Sequence, residues 1–266
     1  MKLYLFFFII LYYSYPAQMQ TFVYHLQYKE GIEKSTVSEK NFLLDISGRS
    51  SIFRTPFEKK SDSLIFNGKF GLSSSYGFEE QLYISKNLNT NEVLRQVKNL
   101  FGFYSIKIEE QLHWKILPDK SKIGDYDVQK AEVNYGGRNW IAWFTAEIPV
   151  YEGPYVFCGL PGLIVKIADD QNDYTFSLTE VKTFNGHLYP RKKGIVMDFP
   201  TFRKFSMNYY SDPFAEAKAR NMPMAKEGEN GNIVRATHKE MNEMAQKSIR
   251  ERGSNPIELN YKNDYK

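Results

Sequence analysis

YDVQKAEVNYGGRNWIAWFT, residues 126–145, decides the fold. Gln129, Ala131, Val133 and Tyr135 fall on alternate positions, the period of a half-buried strand. Gly136-Gly137 follows, and both positions of a two-residue hairpin turn need positive φ. Arg138 to Thr145 returns with Trp140, Ala142 and Phe144 on one face and Ile141 and Trp143 on the other. A strand apolar on both faces is either central in its sheet or lines a ligand cavity.

The same pattern extends outward. Thr21 to Tyr28, Asn41 to Ile46, Gln81 to Ser85, Val93 to Lys98, Phe101 to Ile108, Glu110 to Ile116, Leu163 to Ala168 and Tyr174 to Lys182 all read as strands. Residues 50–80 read as loop with one short strand near Leu64 to Phe66, and Pro118 to Gly124 as a polar turn. After residue 200 the pattern changes. Asp212-Pro213 starts a short helix, and Thr237 with Glu240 makes a capping box for a second one that Gly253 stops. The tail after Pro256 is polar and reads as mobile. With hairpin signals and no βαβ alternation, the fold class is α+β, a mainly antiparallel β-sheet with C-terminal helices.

Composition bounds the function. The 266 residues are 42% hydrophobic, 25% charged and 16% aromatic, with a formal charge of +4. That is globular composition, and the mild basic excess does not argue for nucleic-acid binding. Lys2 precedes an unbroken apolar run from Leu3 to Tyr13, within signal-peptide length and too short to span a bilayer. The reading divides the chain into a signal peptide at 1–17, a β-rich domain at 18–200 and a helical segment with a polar tail at 201–266. The expected location is exported, periplasmic or extracellular, with no transmembrane helix in the mature chain.

Gly159-Leu160-Pro161-Gly162-Leu163-Ile164 spells GLPGLI, flanked by Trp114-Lys115-Ile116, Gly136-Gly137-Arg138, Ala142-Trp143-Phe144, Glu147-Ile148-Pro149 and Gly153-Pro154. Together these resemble the GLPGLI family of secreted envelope proteins from Gram-negative bacteria, over about residues 20–185. The resemblance implies location and class. It transfers no catalytic residues, because the family has no established activity. By analogy with periplasmic lipoprotein carriers, the sheet is expected to be strongly curved.

Local signals for catalysis are absent. His25, His113, His187 and His238 are not at metal-ligand spacing, and no His-Glu-x-x-His or Gly-x-Ser-x-Gly occurs. Cys158, the single cysteine, sits among apolar residues, which keeps a thiol inert. Ser73 to Ser75 reads as a flexible loop, and Asp169 to Asp173 as an acidic turn, since Tyr174 stands where a calcium loop needs glycine. Adjacent Glu79-Glu80 and Glu109-Glu110 read as solvated charges, and Arg138 with Glu147 as a structural ion pair. No cofactor and no metal is implied. Two readings of the aromatic set Trp140, Trp143, Phe144, Tyr155 and Phe157 stay open: core, or one wall of an apolar ligand groove. The segment Gly159, Leu160, Pro161, Gly162, Leu163 and Ile164 is either a structural corner or a lip over that groove. The function expected is non-catalytic binding of an apolar ligand, a peptide or an envelope protein partner. The alternative is a hydrolase whose site is assembled from scattered residues.

Overall fold

The computed structural model describes residues 19–31, 36–72, 77–78, 80–99, 102–184, 186–253 and 255–266. The expected leader at 1–17 and the Ser73 to Ser75 loop lie outside the described residues. Two antiparallel meanders build one twelve-stranded sheet. The first comprises β1 (Met19–Glu30), β2 (Thr36–Ser47), β3 (Ser50–Arg54), β4 (Tyr83–Asn87), β5 (Glu92–Lys98) and β6 (Phe103–Lys107). The second comprises β7 (Lys115–Ile123), β8 (Tyr126–Tyr135), β9 (Arg138–Thr145), β10 (Leu163–Asp169) and β11 (Tyr174–Phe184). They join side by side where β1 pairs with β11. A short β12 (Ile195–Met197) adds to β6 in parallel.

The β8–β9 hairpin forms in the register its sequence dictates, Tyr135 opposite Arg138, with Gly136 and Gly137 at φ of 63° and 78°. Trp140, Ala142 and Phe144 are buried, whereas Ile141 and Trp143 are half-buried on the opposite face. β9 lies inside the sheet, between β10 and β8.

Several expectations are corrected. The sheet is not strongly curled: β12 and β7 remain separate edges, and register shifts place extra residues in β7, β10 and β11. Residues 110–114 form no strand, and β7 instead runs through Pro118 to Ile123. Proline is tolerated there because β7 is an edge strand with a bulge between Ile116 and Lys120. Residues 50–66, read as loop with a short strand near Leu64 to Phe66, hold β3 and α1 (Pro56–Phe66), whose last turn takes the place of that strand. Thr55 and Glu58 form a full capping box for α1, with Pro56 in its first turn.

Helices are few. Besides α1 they are α2 (Phe199–Ser211), α3 (Ala215–Ala219) and α4 (His238–Arg252). α4 carries the expected Thr237–Glu240 box and ends at Gly253. A small hairpin, β13 (Met224–Glu227) with β14 (Ile233–Ala236), precedes it. No described helix is long and apolar enough to cross a membrane. The tail is not a loose end: Asn255, Ile257, Glu258 and Asn263 are buried.

Candidate functional site

One face of the sheet carries Phe22, Tyr24, Leu26, Phe42, Phe53, Trp140 and Phe176 in a continuous apolar core. Two chain segments close over it. The first is the corner between β9 and β10. Gly162 stands at φ 154°, and a Cβ there would lie 2.0 Å from the Thr145 carbonyl oxygen. Only glycine permits that approach. Leu160, Leu163 and Ile164 are buried, while Gly159 and Pro161 face outward. Lys86, with its side chain fully buried, fixes the corner from beneath: its Nζ is 2.6 Å from Glu152 and donates to the Gly153 carbonyl at 3.1 Å. Ser51 donates to the other Glu152 oxygen at 2.8 Å, and Tyr24 donates to the Ile164 carbonyl at 2.6 Å.

Rings gather under this corner. The Phe157 ring lies 4.7 Å from Trp140, 5.7 Å from Tyr135 and 6.3 Å from Trp114. Of the five aromatics singled out in the sequence, Trp140, Tyr155 and Phe157 meet in this cluster. Phe144 is buried on the same strand face as Trp140, and Trp143 lies on the other face. Cys158 abuts Lys86 and Glu152, and burial pushes its thiol up, which leaves it a poor nucleophile.

The second segment is the tail. Glu258, 2% exposed, accepts from Tyr135 at 2.9 Å and Tyr155 at 2.6 Å through one oxygen, and from Arg95 at 2.9 Å through the other. Burial, reinforced by the Glu258 charge, holds both tyrosine hydroxyls well above their ordinary pKa, so they stay protonated donors. Tyr155 reaches this position with φ of 53°, an unfavourable backbone for a non-glycine residue. Arg138 addresses the tail backbone. It donates to the carbonyls of Ile257 at 3.0 Å and Pro256 at 2.8 Å and to the Asn255 side chain at 2.6 Å. Tyr174 donates to the Asn255 carbonyl at 2.6 Å, and Asn255 in turn donates to the Lys29 carbonyl at 2.9 Å. Asn260 lies on the hairpin turn, its side chain 2.5 Å from where a Cβ on Gly137 would be.

This arrangement corrects one expected pairing. Arg138 pairs with Asp169 at 2.7 Å and Asp173 at 3.1 Å, not with Glu147, whose carboxylate accepts from the Asp127 amide. The acidic turn therefore neutralises a buried guanidinium. Among the described residues no group of three or more His, Cys, Asp or Glu is placed to hold a metal. Arg95, Tyr174, Asn255 and Glu258 were not found from the sequence. The signal available was Ile257 and Leu259 flanking Glu258 in a mostly polar tail.

Beside Asn255 and Pro256 the apolar floor surfaces in a cleft bounded by Leu26, Tyr28, Phe42 and Tyr174, with Lys29 and Lys40 at its rim. Its cavity volume is about 20 Å³, room for about one water.

Comparison with known proteins sets this geometry in context. Residues 132–166, which span β9, the corner and part of β10, match a family described as a protein of unknown function (Porph_ging). The description carries no GLPGLI name. No curated protein matches. Two crystal structures of PNGF-II are similar, with TM-scores of 0.51 and 0.51 at 16% and 17% identity, over 72% of this chain. The chain spans 33% of the length of those structures, and at such identity the likeness speaks for the fold alone. A LolA superfamily protein, NE2245 from Nitrosomonas europaea, overlaps with a TM-score of 0.29 and 8% identity, over 66% of this chain and 92% of its own. That overlap is too loose to bear on function.

Proposed function

We propose that the chain is an exported, non-catalytic binding protein, and that its ligand is an extended peptide laid across the face its own tail now covers. The observation that carries this reading is the way residues 255–258 are held. Arg138 and Tyr174 grip main-chain carbonyls, while Arg95, Tyr135 and Tyr155 grip one carboxylate. Backbone contacts give affinity for any extended chain, and the side-chain pocket gives selectivity. The favoured ligand has an apolar residue followed by an acidic one, as in Ile257-Glu258. Trp140, Tyr155 and Phe157 form the wall behind that pocket. The cleft beside Asn255 and Pro256 offers a small apolar ligand the room of about one water, so the reading rests on the tail's contacts instead. Export rests on Lys2 and the Leu3 to Tyr13 run.

The test is fluorescence anisotropy with a labelled peptide of residues 255–263. It is titrated against full-length Glu258→Ala, whose own tail is weakened. Saturable binding that Arg138→Gln removes supports the proposal. Absence of binding, or binding indifferent to Arg138→Gln, contradicts it.

A further inference from the structure

Among the described residues, a second surface exposes large apolar side chains. Phe70 is 98% exposed, and Phe66, Ile195, Val196 and Phe103 are each more than half exposed. They are separated in sequence, and contacts between their segments bring the end of α1, β6 and β12 close together. The Phe66 ring lies 5.5 Å from His187 and 5.3 Å from Tyr189, which ties the end of α1 to the segment leading into β12. Lys98 donates to the Leu72 carbonyl at 3.2 Å and is the cross-strand partner of Phe103. Gly194 presses on Phe103 so closely that a Cβ would sit 1.9 Å from its carbonyl oxygen. Phe66, Phe70 and Phe103 therefore sit on neighbouring segments, with Val196 on the sheet face of Phe103 and Ile195 on the opposite one.

Its two helix-side segments are mainly basic, although Glu92 on β5 pairs with Lys193 at 2.5 Å. Lys60, Lys69 and Lys192 are exposed around the rings. The carboxylates in residues 56–72 and 186–198 are Glu58, Asp62 and Asp198. Glu58 and Asp62 are buried and engaged by Arg191, Asp62 also by Arg54. Asp198 caps α2 by accepting from the Thr201 amide. The solvent thus meets protruding aromatic and aliphatic tips among lysines. An aqueous surface leaves such tips hydrated at a cost, and they mark an interaction site when they cluster. Protruding rings with flanking lysines match the boundary between acyl chains and anionic headgroups, where the ring enters and the ammonium stays with phosphate.

We propose that this face docks the protein on the surface of an anionic bilayer. Phe66 and Phe70 insert below the headgroups, and Lys60, Lys69 and Lys192 supply the electrostatic attraction. Each lysine near such a surface adds attraction that salt screens.

The experiment is co-sedimentation of the full chain with vesicles of phosphatidylcholine alone or with phosphatidylglycerol added. The proposal expects binding to the anionic vesicles, weakened by salt, and at least about tenfold weaker in the Phe66→Ser, Phe70→Ser double variant, since tenfold is about 1.4 kcal/mol. Both side chains are exposed, so the melting temperature should hold. Lys60→Gln, Lys69→Gln and Lys192→Gln together should remove the preference for anionic lipid. Absence of vesicle binding, or binding unchanged in these variants, overturns the proposal. So does concentration-dependent self-association abolished by Phe70→Ser without any vesicle binding, which would make a second copy the occupant.

Discussion

The corner at residues 148–164 and the tail at residues 255–263 cover the same sheet face and meet where Tyr155 donates to Glu258, but they are held by different physics. The corner is held by shape: Gly162 lets its backbone reach the Thr145 carbonyl, and Leu160, Leu163 and Ile164 fill the core. The tail is held chiefly by hydrogen bonds from Arg95, Arg138 and three tyrosines to carbonyls and one carboxylate, with Ile257 buried beside them, whereas in the corner the bonds from Lys86, Ser51 and Tyr24 only supplement the packing. A shape-held segment cannot leave without opening the core. A polar-held segment exchanges its bonds for water or for a competitor, and so can act as a replaceable occupant.

Substitutions should separate the two. The largest effect is expected from Gly162→Val in the corner. Its Cβ would overlap the Thr145 carbonyl at 2.0 Å, so no cooperative thermal transition should remain in calorimetry. Trp140→Ala should cost about 3–5 kcal/mol in denaturant unfolding, because the ring is fully buried under the corner. Glu258→Ala should cost less, about 1–3 kcal/mol, because the tail can lift away and let Arg95 rehydrate. A Glu258→Ala loss as large as that of Trp140→Ala would erase the distinction. Trp143→Ala, on the half-buried face, should cost roughly half the Trp140 loss or less in the same assay.

The smallest effect concerns α4, which precedes the tail. Glu240 is hydrogen-bonded by Lys226 and by the Thr237 amide and hydroxyl, which lowers its pKa from 4.5 to about 2. A depressed folded-state pKa means the cap's contribution is complete above pH 4.5 and is lost as the pH falls towards 2. The stability difference between the protein and Glu240→Gln should therefore shrink over that window in pH-dependent melts. A difference that stays constant across the window would detach the cap from α4 stability.

What the sequence disclosed follows the same division. The β8–β9 hairpin was legible because Ala131, Val133 and Tyr135 alternate and Gly136-Gly137 names the turn. The corner was legible as a turn from Gly159, Pro161 and Gly162, though not its anchoring by Lys86 and Glu152. α1 was missed because it buries Glu58, Ser61 and Asp62, so its inner face looks polar and periodicity reports nothing. The tail site was missed for a related reason. Glu258 is 163 residues from Arg95, and Asn255 is 117 from Arg138. Polar pairs at such separations leave no periodic trace, and a polar tail reads by default as solvated. Export and a binding role remain proposals resting on the leader and on the tail's grip.

The most direct test of the central claim is hydrogen exchange followed by mass spectrometry, comparing the protein with Glu258→Ala. The account predicts protection of residues 255–263 in the native chain. In the variant that segment should exchange freely while β8 and β9 stay protected. Free exchange of the tail already in the native chain would contradict it. So would simultaneous loss of protection in the tail and the β8–β9 hairpin, because the tail would then be core rather than a replaceable occupant.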